Sequence, residues 1–335
     1  MKNFKNLKKP FIVAEIGNNH EGSIKTAIKL IKAAKNANAD AVKFQVFNPN
    51  KYSSPKDRAR ISLLKKFALK KSEIIKIKKY CKKLKIIFFA TPFDIQSAEF
   101  LNKHQNFFKI SSGDNNFIHL IKKIISFKKP LIISTGLMSF LDIKKIVSFV
   151  QKTKFYRKKE NLCLMHCVSA YPASKKKINL NSILFLKKKF PNITIGYSDH
   201  TLGKKIASLS YIVGAEIIEK HFTLDNNFSN FRDHKISLNP KSFENFVQET
   251  KDLSIILGDF TKKVNMQEKI NESSMRRKLV ANKKLQRGSK LHIKDLIFVR
   301  SVNDGIYASD LNKYIGKKLT RNKEKFSNFS INDFI

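Results

Sequence analysis

The segment Gly196-Tyr-Ser-Asp-His200-Thr is followed about twenty residues later by Glu219-Lys-His221-Phe. Each reads as the end of a short strand, and alternation puts Ser198 and His200 on one face, with Glu219 and His221 on the equivalent face of the next strand. Two imidazoles placed this way could share one divalent metal. Ligands at strand ends with coordination positions left open suit a catalytic ion rather than a structural one. On its own the pair reads equally well as two core histidines. Lys43 and Lys109 fall inside apolar strand patterns, where an ammonium is costly to bury unless an anion meets it, and phosphate is the natural candidate. Either lysine could instead carry its charge to solvent along a buried stem. Ser112, Ser134, Ser169 and Ser198 stand at strand ends, where hydroxyls and the N–H groups of glycine-containing turns could hold the same oxyanion. Glu15 faces that end too and suits either a base or a group that orients a lysine.

These residues need elements that bring them together. Short β-branched or aromatic apolar runs alternate with stretches of helical period eight times before residue 258. The expected strands are 11–16, 41–47, 86–91, 107–111, 130–135, 162–167, 193–198 and 216–222. The helical patterns lie near 23–37, 72–84, 95–103, 117–126, 139–153, 179–189, 203–213 and 240–257. Eight β-then-α units in about 250 residues predict an α/β fold closed as a (β/α)8 TIM barrel. An open doubly wound sheet shares the local pattern. A barrel puts its chemistry at the carboxyl ends of its strands, and the polar residues named above cluster there in phase. Residues 1–257 then form a barrel domain, 258–275 lose the periodicity and predict a linker, and 276–335 read as a small β-rich domain. With few apolar residues, that domain is expected to lean on another surface.

The 335 residues carry 67 Lys+Arg against 26 Asp+Glu, a formal charge of +41. Gathered in a tail or stripe, this excess would point to nucleic acid or an acidic membrane. The lysines are instead dispersed through nearly every helix-like segment, as in Ile74-Ile-Lys-Ile-Lys-Lys-Tyr-Cys-Lys-Lys-Leu84. That pattern fits a compositional bias and argues against a nucleic-acid partner, although a positive field still attracts phosphorylated or carboxylated substrates. A non-enzymatic basic nucleic-acid-binding protein would require degraded strand-end residues, and these are intact. Cys81, Cys163 and Cys167 give no disulfide framework and fit a reducing cytoplasm. The spacing of the last two matches no common zinc pattern, so buried thiols are expected. There is no apolar run of about 18 residues, and residues 1–9 lack a signal-peptide core. A soluble, unprocessed protein without a membrane span is therefore expected.

Seven motifs, in order and spacing, resemble the sialic acid synthases. They are Ala14-Glu-Ile-Gly-Asn-Asn-His20, Val42-Lys-Phe-Gln45, Ala90-Thr-Pro-Phe-Asp94, Lys109-Ile-Ser-Ser-Gly-Asp114, Ser134-Thr-Gly136, Gly196-Tyr-Ser-Asp-His-Thr201 and Ile218-Glu-Lys-His-Phe-Thr223. From Met275-Arg-Arg-Lys-Leu-Val-Ala281 onward the chain resembles the antifreeze-like (SAF, β-clip) domain appended to those enzymes. The resemblance implies condensation of phosphoenolpyruvate with an N-acetylated hexosamine, N-acetylmannosamine or its 6-phosphate. The products would be N-acetylneuraminate or its 9-phosphate, plus phosphate. Legionaminic or pseudaminic acid made from a diacetamido sugar is the alternative. It further implies that His200 and His221 bind Mn²⁺, with Mg²⁺ or Co²⁺ as substitutes, and that Glu15 assists proton transfer. Lys43, Lys109, Ser112, Ser134, Ser169 and Ser198 would hold phosphoenolpyruvate, while Gln45, Asp114, Tyr171 and Asp233 would face the sugar. It also implies a homodimer whose appended domains swap, so that Arg300 reaches the partner's barrel mouth. Read alone, Arg300 is an ordinary surface charge. The chain departs from the pattern in places. Ser169 stands where many bacterial members have Asn, Asp114 where many have Glu, and Ser-Val-Asn-Asp-Gly follows Arg300 in place of a Pro-Gly turn. Phe231-Arg232 replaces a commoner Gly-Pro before Asp233, so Arg232 could meet a phosphate or acidic group on the substrate.

Overall fold

A parallel strand that is apolar on both faces needs helices outside it and packed side chains within, and the eight units satisfy both needs by closing on one another. The computed structural model describes Phe4 and residues 10–335. The remainder of residues 1–9, expected to hold no signal-peptide core, lies outside the described residues. The strands are β1 Phe11–Gly17, β2 Ala41–Val46, β3 Ile87–Pro92, β4 Phe108–Ile110, β5 Leu131–Ser134, β6 Leu162–Cys167, β7 Thr194–Asp199 and β8 Ile217–His221. Their order is β3-β2-β1-β8-β7-β6-β5-β4 with parallel pairing throughout. β3 packs on β4, so the sheet returns on itself as a barrel and the open doubly wound arrangement is excluded. At that seam the side chain of Gln105 replaces a strand ladder. Its Oε1 accepts from Ala90 N–H at 2.8 Å, and its Nε2 donates to Ala90 O at 3.1 Å.

The helices of this unit are α1 Ile24–Asn36, α2 Pro49–Tyr52, α3 Arg58–Phe67, α4 Lys71–Lys83, α5 Ile95–Asn102, α6 Ile118–Ser126, α7 Phe140–Gln151, α8 Asn181–Lys189, α9 Lys205–Ile212, α10 Arg232–Ile236 and α11 Pro240–Ile256. Helices α2, α3 and α10 were not foreseen, and they sit in the connections that follow β2 and β8. No helix among the described residues is long and apolar enough to cross a membrane.

The chain divides into two compact units, Met1–Gly258 and Asp259–Ile335. Within the second, helix α12 Met266–Met275 occupies much of the stretch expected as linker. It starts from a reciprocal cap between Asn265 and Glu268, which supplies the start signal that its exposed, unpatterned surface does not. Strands β9 Arg277–Ala281 and β10 Leu296–Arg300 pair antiparallel. Leu279, Ala281, Leu291, Leu319 and Phe329 are buried together, so the small unit has a core of its own, contrary to the expectation from its composition. Asp333 adds to it, accepting from Ser330 N–H at 2.7 Å and from Lys323 Nζ at 2.9 Å, with Arg321 as a third partner.

Candidate active site

Four strands carry a charged cluster into the barrel. Lys43 on β2 lies 3.0 Å from Glu219 on β8 and 3.5 Å from Glu15 on β1. Lys109 on β4 lies 3.0 Å from the other Glu219 oxygen, and Ser198 on β7 donates to Glu219 at 2.9 Å. The two lysines are therefore met by a carboxylate of the chain itself, in addition to any phosphate, the anion expected from the sequence. Glu219 is the central residue that sequence reasoning left out of the site. Its signal was present, since it stands two positions before His221 and so shares its face. Burial alone would raise the Glu219 carboxyl, but Lys109 and Lys43 outweigh burial and hold it well below the usual carboxylate range. Glu15 is different. Burial pushes it up to about 7 against the pull of Lys43, and its Oε2 has no hydrogen-bond partner. A carboxyl poised near neutrality can both give and take a proton.

Three loops meet beside the lysines. Ser112 after β4 and Ser169 after β6 flank Gly136 after β5, and a Cβ on Gly136 would overlap both hydroxyls. Neither hydroxyl has a hydrogen-bond partner, with the Cys167 thiol as the neighbour of Ser112. Buried polar groups left without partners mark a place for a ligand. Asn115 fixes the spacing by donating to the carbonyls of Ser134 at 3.2 Å and Gly136 at 2.8 Å, which ties the β4 loop to the β5 loop. Ser134 and Ser198 line the same cavity of about 940 Å³.

The histidine pair sits at the adjoining ends of β7 and β8. Those ends are locked from the outer side by Lys220, fully buried and 2.7 Å from Asp199, which also accepts from Tyr197 and Thr201. The His200 and His221 ring centroids are 5.3 Å apart. His200 Nδ1 donates to Val168 O at 2.9 Å. His221 Nδ1 is buried without a hydrogen-bond partner, and Asp233 approaches it at 4.0 Å. Burial, followed by the positive charge of His200, holds the His221 imidazole well below its ordinary pKa, in the neutral form that ligates metals. Among the described residues no set of three or more His, Cys, Asp or Glu side chains is gathered to hold a metal ion. The pair fits an ion that takes two imidazoles from the protein and its other ligands from substrate or water.

The Tyr171 ring stacks 4.2 Å from His200, and Asp233 on α10 lines the same wall. Gln45 accepts from Asn18 at 2.9 Å and lies 3.5 Å from Glu15. Asp114 is not part of the cavity wall, because its short side chain is engaged by the Ser111 hydroxyl in the turn after β4. Arg300 is exposed at the end of β10 in the second unit. Cys81, Cys163 and Cys167 are all free and buried, as expected, and Cys167 Sγ lies 3.8 Å from His200. The unforeseen helices α2, α3 and α10 contribute Tyr52, Arg60, Lys66 and Arg232 to the wall.

Fold and site together define a (β/α)8-barrel enzyme whose chemistry lies at the carboxyl ends of its strands. Residues 30–262 match the NeuB family, and residues 276–325 match the SAF domain. The chain belongs to the NeuB family. It is 35% identical to an N,N'-diacetyllegionaminic acid synthase from Campylobacter jejuni, over 94% of this chain and 97% of that one. It is 33% identical to an N-acetylneuraminate-9-phosphate synthase from Drosophila melanogaster, over 93% and 92% of the two chains. The crystal structure of an N-acetylneuraminic acid (sialic acid) synthetase from Leptospira borgpetersenii serovar Hardjo-bovis, in complex with citrate, superposes with a TM-score of 0.74 at 35% identity. It covers 80% of this chain and 93% of that one.

Proposed function

We propose that this enzyme condenses phosphoenolpyruvate with an N-acetylated hexosamine, N-acetylmannosamine or its 6-phosphate, giving N-acetylneuraminate or its 9-phosphate and inorganic phosphate. The observation that carries this reading is the unpartnered hydroxyl pair of Ser112 and Ser169 around the bare Cα of Gly136, with Lys43 and Lys109 lining the same cavity. Serine hydroxyls and lysines in that arrangement suit a phosphate bearing a carboxylate neighbour. In the reaction, carbon 3 of phosphoenolpyruvate attacks the sugar's aldehyde carbon, water adds at carbon 2, and phosphate leaves with C–O cleavage. Glu15, near neutrality in pKa, moves the proton of that water. Lys43 and Lys109 hold the negative charge in place while Glu219 keeps the two ammonium groups together. His200 and His221 would hold Mn²⁺, or Mg²⁺ or Co²⁺ in its place, and such an ion supplies Lewis-acid polarisation of the aldehyde oxygen. Tyr171, Asp233 and Gln45 face the sugar. Arg300 completes the site of a partner subunit in a homodimer.

The test is phosphate release from phosphoenolpyruvate with a panel of hexosamine acceptors and Mn²⁺, in parallel with and without EDTA. Acceptor-dependent, EDTA-sensitive release is expected, and silence with every acceptor would defeat the reading. The same chemistry on a diacetamido sugar is the second reading, since the legionaminic acid synthase and the sialic acid synthetase are each 35% identical to this chain. Gly136→Ala is expected to raise KM for phosphoenolpyruvate by about tenfold or more, because its methyl group takes the space between the two hydroxyls and costs a charge-assisted contact. Steady-state kinetics at saturating acceptor check this, and an unchanged KM would place the phosphate elsewhere.

A further inference from the structure

The outer wall of the cavity holds two arginines seated on tyrosines. The Arg232 guanidinium lies 4.7 Å from the Tyr171 ring centroid, and that of Arg60 lies 5.6 Å from the Tyr52 centroid. A guanidinium stacked on a ring keeps its N–H edges free for acceptors in its plane, and the planar fork matches a phosphate. Both arginines and both tyrosines line one cavity. Tyr52, its pKa raised first by burial and then by Asp114, is pulled back by both Arg60 and Arg232. The acids of this wall are already engaged, Asp233 with Arg232 at 3.5 Å and Glu21 with Lys66 at 3.9 Å, and Asp114 behind it is held by Ser111. The Arg60 guanidinium forms no salt bridge among the described residues, the Asp57 carboxylate accepting from the Arg60 backbone N–H instead. The steps from His200 to Tyr171 and on to Arg232 are 4.2 and 4.7 Å. The Arg232 guanidinium is therefore one side chain removed from the histidine pair.

We propose that Arg60 and Arg232 bind a phosphate monoester on the acceptor sugar, at the carbon furthest from the reacting aldehyde, which makes the acceptor an N-acetylhexosamine 6-phosphate. This rests on the condensation reading above and decides what that reading leaves open. The phosphate site is separate from the cradle of Ser112, Ser169 and Gly136. Each cavity end therefore holds its own anion, and the pair of arginines sets which acceptor is used.

The experiment compares kcat/KM for N-acetylmannosamine, its 6-phosphate and a 2,4-diacetamido sugar in the wild type, Arg60→Gln and Arg232→Gln. Both positions are exposed, and thermal melts confirm that the variants fold. The wild type is expected to favour the 6-phosphate over the neutral sugar by about a hundredfold, and each substitution to lower that ratio by about tenfold. A ratio near one in the wild type, a preference for the diacetamido sugar, or a ratio unmoved in both variants would overturn the proposal while leaving condensation intact. Absence of phosphate release with every acceptor would instead overturn the condensation reading, and this proposal with it.

Discussion

His221→Ala is expected to cut acceptor-dependent phosphate release by about a thousandfold, the scale on which a preorganised electrophilic group contributes. The imidazole is buried, neutral and without a hydrogen-bond partner at Nδ1, so its loss would remove the proposed metal ligand without stranding a charge. Folding should survive. The variant is expected to keep a cooperative thermal transition and to sediment, like the wild type, at twice the 38.6 kDa of one chain. Titration with Mn²⁺ followed by electron paramagnetic resonance separates ligand loss from misfolding, since the wild type should bind the ion and the variant should not. Full activity in the variant with excess chelator present would sink the metal assignment, and sedimentation of the wild type at one chain mass would sink the dimer.

Glu219→Ala is expected to act on the fold instead. Lys43 and Lys109 are 5% and 1% exposed, and Glu219 is the carboxylate that touches both. Its removal leaves two ammonium groups facing each other in a poorly solvated interior, where breaking a buried ion pair costs about 3–5 kcal/mol. For a unit of this size that corresponds to a fall of about 10 °C in Tm. Glu15 does not compensate, being 3.5 Å from Lys43 and drawn toward its neutral form by burial. Calorimetry of Glu219→Ala beside Ser198→Ala separates loss of the carboxylate from loss of one hydrogen bond. A Glu219→Ala melt matching the wild type would show that both lysines are solvated.

The strands were legible because each is a short apolar run bounded by polar turns, and the observed ends fall close to the expected ones. Strand periodicity also placed Ser198, Glu219 and the histidines on shared faces. Two of the missed helices share a physical cause. In α3 only Leu64 and Phe67 are buried, and lysines and arginines occupy half of the rest, so no broad apolar stripe announces it. In α12 no residue is buried at all, and only the cap at Asn265 marks its start. Consequently Arg60, carried by α3, escaped notice, whereas Arg232 stood out beside a recognisable motif. Glu219 was overlooked for another reason. Its partners come from β2 and β4, more than a hundred residues away, and pairing across a closed barrel depends on shear rather than on local spacing.

The seam between β3 and β4 carries a consequence for how the barrel breathes. Elsewhere an interior amide exchanges with solvent deuterium only when strands separate. At Ala90 the protecting group is the Gln105 carboxamide, which can rotate away while both strands stay in place. The hydrogen bonds at this closure thus depend on a rotamer, and the isotope-exchange rate of one alanine amide reports that rotamer's turnover.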